Sequence, residues 1–143
     1  MQETKCVYVS AGEIKETLGS EPTQGKRLLE PLKSFAKERG LPFNILEDKE
    51  VTNEAEIHMH EGDLWHCLGG EVVFIYGGEM VEPWFKKNAD GSEDKREVKA
   101  NEIKGGERTV LKSGDWLWIP AGEPHQHMCK GVARLAIIKI PKI

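Results

Sequence analysis

Alternation between apolar and polar positions dominates this chain. Short runs of alternating or β-branched and aromatic residues occur at 6–9, 43–46, 56–60, 64–68, 71–76, 80–85, 109–111, 116–119, 126–129 and 133–140, and each has the length and composition that predict a β-strand. Gly-Gly pairs at 69–70, 77–78 and 105–106, with Lys-Ser-Gly at 112–114 and Lys-Gly at 130–131, supply tight turns between neighbouring antiparallel strands. Many short strands punctuated in this way predict an all-β sandwich or barrel.

One segment departs from the pattern. Leu28, Leu32, Phe35 and Ala36 recur at helical spacing, Pro31 suits a first helical turn, and Gly40 follows as a stop. The spacing predicts one short N-terminal helix over about residues 30–39, packed on the outside of the barrel or on a partner subunit. Residues 86–107 carry as many basic as acidic side chains and only Val98 and Ile103 as sizeable apolar ones, which predicts a solvated hairpin arm or mobile loop. The chain reads as a single domain over 1–143, with a strand-and-helix extension at 1–42 and the barrel at 43–140.

Composition narrows the function classes. A chain of 143 residues can bury a core without covalent staples. Its 20 basic and 24 acidic side chains are interspersed and leave a net charge of -4, so no basic footprint for nucleic acid or an anionic membrane is present. Residues 1–10 lack the pattern of a secretory leader, and no apolar run approaches bilayer length, so a cytoplasmic protein is expected. Cys6, Cys67 and Cys129 are odd in number and form no C-x-x-C pair, which fits reduced thiols, with Cys67 and Cys129 acting as small buried hydrophobes. Neither a G-x-S-x-G elbow nor a phosphate-binding glycine loop occurs.

Two stretches carry chemistry. In Glu56-Ile57-His58-Met59-His60 a strand places Glu56, His58 and His60 on one face. Two imidazoles at i and i+2 can converge on a single ion. The second stretch, Gly114 to His125, reads as a turn glycine, an apolar strand, a rigid Pro120-Ala121-Gly122 bend and a histidine opening the next strand. His127 lies two residues further on the same face.

Gly114, Pro120, Gly122 and His125 match G-x5-P-x-G-x2-H, which resembles the second signature of the cupin superfamily. His58, His60, Asp63 and Gly70 resemble the first, in which an acidic residue and then a glycine follow H-x-H. The resemblance spans about residues 43–140 and implies a double-stranded β-helix, or jelly-roll, barrel. It also implies a divalent ion held by His58, His60 and His125, with Asp63 as fourth ligand. The chain departs from the pattern by having aspartate for the usual glutamate and only Glu61 and Gly62 before it, where three or four residues are usual. Thr52 and Cys129 also replace a frequent glycine and asparagine. If a turn at 61–62 leaves Asp63 short of the ion, then water, His127, Glu56 or His66 completes the shell. Alternation from Asp63 sets Trp65 and Cys67 on its face and turns His66 away. A three-histidine site with open positions is the other arrangement.

Imidazole with carboxylate suits iron, manganese, zinc or nickel. The expected function is a metal-dependent enzyme of dioxygenase, isomerase or sugar-modifying type, acting on an oxygen-rich small molecule. Glu56 is the first candidate general base and Tyr76 the second. The alternatives are a non-catalytic metal-dependent binder or sensor, and a metal-free structural barrel. Trp65, Trp116 and Trp118 read as barrel filling. A homodimer is expected, paired through the edge at residues 6–9.

Overall fold

The structure, a computed structural model, describes residues 6–143. In chain order the elements are α1 (Ala11–Leu18), β1 (Gly25–Leu28), α2 (Leu32–Arg39), β2 (Phe43–Thr52), β3 (Ala55–His58), β4 (Glu61–Gly69), β5 (Glu71–Tyr76), β6 (Glu79–Met80), β7 (Trp84–Lys87), β8 (Glu93–Ala100), β9 (Ile103–Lys104), β10 (Glu107–Lys112), β11 (Trp116–Ile119) and β12 (His125–Pro141). All strand pairings are antiparallel.

β12 is the spine of the fold. Lys130-Gly131, expected as a turn between two strands, is instead a bulge inside one strand, where the register with β2 shifts between Cys129 and Val132. The first part of β12 pairs with β5 and its later part with β4, while β2 follows both. A bulge bends a strand without ending it, so β12 carries the sheet round into a curled jelly-roll barrel. The turn between β4 and β5 packs onto that bend. Gly70 has φ 74°, and a Cβ there would lie 2.0 Å from the Val132 carbonyl oxygen, so only glycine fits.

The barrel interior holds Leu46, Trp65, Phe74, Leu111, Leu135 and Ile137 among its buried residues. Cys67 and Cys129 are buried there as free thiols, as their composition suggested, and burial pushes both thiols up. Outside the barrel, α1 and α2 cover Ile45 with Leu29, Leu32, Ile14, Leu18 and Phe35. β2 is therefore buried on both faces, Leu46 inward and Ile45 outward. Its buried Glu47 lies on the helix side, bonded to Arg27, Arg134 and the Thr23 amide.

Several expectations are corrected. Residues 6–9 are not a strand, and residues 1–5 lie outside those described. There are two helices rather than one among the described residues. The additional one, α1, is capped by Ser10, whose side chain accepts a hydrogen bond from the Glu13 amide. Trp116 and Trp118 point outward, because Leu117 and Ile119 take the inward positions of β11. Of the two forms expected for the arm, the hairpin is the one found: β7 and β8 pair, and β8 also pairs with β3. Among the described residues no helix is long and apolar enough to cross a membrane.

Candidate metal centre

Three strands and a bend build the site at one end of the barrel. β3 delivers Glu56 and His58, the first turn of β4 delivers Asp63, and β12 opens with His125. The Pro120–Gly122 bend is tied to β3 by the Gly122 amide donating to the His58 carbonyl at 2.8 Å, and to the β5 end by the Gly77 amide donating to Pro124 at 3.0 Å. Gly122 has φ 86°, a conformation costly for other residues. His125 thereby stands opposite Glu56 on β3, where directly opposed residues project to the same face.

The donor atoms converge. His58 Nε2 lies 3.2 Å from Glu56 Oε2 and 3.4 Å from Asp63 Oδ2, and His125 Nε2 lies 3.4 Å from the same Asp63 oxygen. Glu56, His58 and His125 each offer a ligand atom within 4.8 Å of the others. The His125 Nδ1–H donates to the Glu123 carbonyl at 3.1 Å, which leaves Nε2 as the free donor. Asp63 Oδ1 accepts from the Lys139 ammonium at 2.7 Å, which turns Oδ2 inward. Asp63 Oδ2 and His125 Nε2 are both buried and have no hydrogen-bond partner. Two imidazole nitrogens converging on a buried carboxylate oxygen, with a second carboxylate beside them, are a donor set that fits a metal ion.

Charge is concentrated on one imidazole. His58 contacts three carboxylates, because its Nδ1 also lies 3.1 Å from Glu97 Oε1. Burial opposes the charged ring, yet Asp63, Glu56 and Glu97 outweigh it and push His58 up to about 11. Burial likewise opposes ionisation of Asp63 and Glu56. His125, His58 and Lys139 nonetheless hold Asp63 well below the usual carboxylate range, and His58, Lys26 and Lys99 do the same for Glu56. Contact with His58 lowers Glu97 to about 2. A cation held at His58 Nε2 would take the place of its proton in this anionic cage.

The remaining sequence candidates lie around this cluster. β3 stops at His58, and the chain turns at Met59-His60 to enter β4 at Glu61. His60, expected on the same strand face, is exposed on the rim of a cavity of about 360 Å³ that His58, Lys139 and the arm also line. The short connection thus uses His60 in the turn and keeps Asp63 in reach. Tyr76 pairs in register with His125, but its hydroxyl is engaged with Thr109 at 2.8 Å. His66 stacks on Trp116 outside the barrel. His127 is buried between Trp65 and Phe74, and its Nδ1–H donates to Asp48.

Sequence reasoning missed Glu97, Lys99 and Lys139. Lys139 had a signal: it continues the inward row of Ala133, Leu135 and Ile137, where a lysine demands a partner. Lys99 donates to Glu56 Oε1 at 2.7 Å. Neither Lys99 nor Glu97 stands out within the charged arm, because only the pairing of β8 with β3 brings them in.

No protein-family model matches the chain, and no curated protein matches it. Solved structures with similar backbones include YcfD, a ribosomal oxygenase from Escherichia coli, with TM-score 0.55 and 13% identity over 87% of this chain and 34% of that one. Others are a predicted oxalate decarboxylase from Thermotoga maritima (TM-score 0.48, 15% identity, 82% of this chain and 79% of that one) and the Drosophila melanogaster CENP-C cupin domain (TM-score 0.46, 16% identity, 72% and 58%). The chain spans about a third of YcfD, and at these identities the likeness is one of fold alone. The likeness to YcfD, taken with the curled antiparallel sheet that bends at the β12 bulge, shows the jelly-roll barrel that the resemblance to the cupin signatures implies.

Proposed function

We propose that the chain is a small metal-dependent enzyme that holds a single divalent ion with His58, Asp63, His125 and Glu56 and acts on an oxygen-rich small molecule. The observation that carries this reading is the convergence of His58 Nε2 and His125 Nε2 on the buried Asp63 Oδ2, each 3.4 Å away, with Glu56 Oε2 3.2 Å from His58 Nε2. Two imidazoles with two carboxylates suit iron, manganese, zinc or nickel. When bound, such an ion supplies a Lewis acid for substrate oxygens.

The chain's own residues shape the rest. The cavity beside the donors is lined largely by charged side chains, among them Lys86, Arg96, Glu97 and Lys139, which suits a small polar molecule. Lys139 holds Asp63 and still reaches the cavity, so it supports a role in receiving an anionic part of the substrate. Glu56 belongs with the ion, because its Oε2 lies 3.2 Å from His58 Nε2 and it is one of the three residues whose ligand atoms come together. His60, on the rim, belongs with substrate entry.

The test is turnover of a panel of hydroxy acids, keto acids, dihydroxyaromatics and sugars by protein that is metal-stripped or reloaded with each of the four ions. The expected result is turnover of one class that needs added metal and is lost in Asp63→Asn. Metal-dependent binding of a panel member without turnover of any would contradict the enzyme reading in favour of a binder or sensor.

A further inference from the structure

We propose that Glu97, on the charged arm, is a positioning residue of this centre: it holds the His58 ring so that Nε2 faces the ion, and metal binding in turn fastens the arm to the barrel. This rests on the metal reading above and goes beyond it, since it assigns a role to a segment that otherwise reads as solvated.

The geometry is specific. β8 pairs with β3 so that Glu97 stands directly opposite His58, and opposed residues in an antiparallel pair share a face. His58 Nδ1 lies 3.1 Å from Glu97 Oε1, while the Lys86 ammonium on β7 lies 3.2 Å from Glu97 Oε2. Both carboxylate oxygens are therefore engaged, and the hairpin itself fixes the carboxylate that fixes the ring. One residue on, the Met59 amide donates to the Arg96 carbonyl at 2.8 Å, which closes the contact between arm and barrel.

The two imidazoles of the centre are thus oriented differently. His125 is held by the Glu123 carbonyl from its own bend, and that support persists whatever the arm does. His58 depends on a side chain from another element. A carboxylate on the far nitrogen of a metal-bound imidazole fixes the tautomer and ring orientation, and its loss typically weakens metal binding about 10- to 100-fold. Coupling between two binding events is reciprocal. Whatever factor the docked arm contributes to metal affinity, the metal must contribute to arm docking. Among its strand residues the arm buries only Ala100 fully, so a modest coupling shows in its opening equilibrium.

Cobalt(II) serves as the probe. Its dissociation constant is measured by competition with a chelating dye for wild type, Glu97→Gln and Glu97→Asp, and amide exchange is followed over Trp84–Lys87 and Glu93–Ala100 with and without the ion. The expected result is affinity about 10- to 100-fold weaker in Glu97→Gln, partial recovery in Glu97→Asp, and exchange of the arm slowed by cobalt in wild type but not in Glu97→Gln. Wild-type affinity in Glu97→Gln, or wild-type arm exchange indifferent to bound cobalt, would overturn the proposal while leaving the metal reading standing. Wild type that binds no cobalt would overturn both. Should Glu97→Gln fail to fold, the wild-type exchange comparison alone decides.

Discussion

At His58 a single ring is pressed by three carboxylates, and this sets the pH response of the metal-free protein. The folded-state pKa of His58 is raised to about 11 from an ordinary 6.5. The stabilisation this represents is complete below about 6.5 and is lost as pH rises through about 11. Glu97 runs the other way. Its pKa is lowered to about 2 from 4.5, so its contribution is present above about 4.5 and lost as pH falls through about 2. With chelator present, the stability gap between wild type and His58→Gln should therefore shrink from pH 7 towards 11, and the gap between wild type and Glu97→Gln should shrink from pH 5 towards 2. Urea midpoints across that range check both, and gaps that stay constant would contradict the ion-pair cage. The residues that form the cage differ in how legible they were. His58 was read from strand alternation and His125 from a glycine-proline bend, both local properties, whereas Asp63 entered only through the resemblance to the cupin signature. His60 was placed by extending the same alternation past the real end of β3, and Glu97 could not be placed because its role depends on inter-strand register.

Among the elements, β2 and α1 show why parts of the fold were hidden. β2 was legible for four residues and runs for ten, because Glu47 and Asp48 read as loop residues until their partners are known. Glu47 is fully buried, with one oxygen accepting from Arg134 at 2.8 Å and the other from Arg27 at 3.0 Å. Arg134 also donates to the Leu18 and Ser20 carbonyls at the end of α1, so one buried carboxylate ties helix, β1, β2 and β12 together. Glu47→Ala should destabilise the protein by about 3 kcal/mol, the lower end for breaking a buried pair, because Arg134 keeps its two carbonyl partners. Chemical denaturation measures this, and a loss under about 1 kcal/mol would show that the network contributes little. The helix α1 had a visible signal in Ser10-x-x-Glu13, a helix-start pattern in which the serine caps the amide three residues on. Its eight residues carry only a short apolar stripe, Ile14 and Leu18, and so lack the periodicity that revealed α2.

Taken as a whole molecule, the barrel gathers residues from 56 to 139 around one point, so the site exists only when β3, β4, β8 and β12 are assembled. The fold class was legible because turn glycines and alternation are repeated many times, and errors in single strands do not change the answer. The crossing on β12 was not, since a bulge and a turn share the same Lys-Gly signature in sequence. Everything proposed about function hangs on whether Asp63 and His125 face a cation. The direct measurement is elemental analysis of protein purified without added metal, for wild type, Asp63→Asn and His125→Ala, with folding of each verified by circular dichroism. The account predicts a single divalent transition-metal ion per wild-type chain and loss of most of it in both folded variants; variants that retain the full wild-type complement would contradict it.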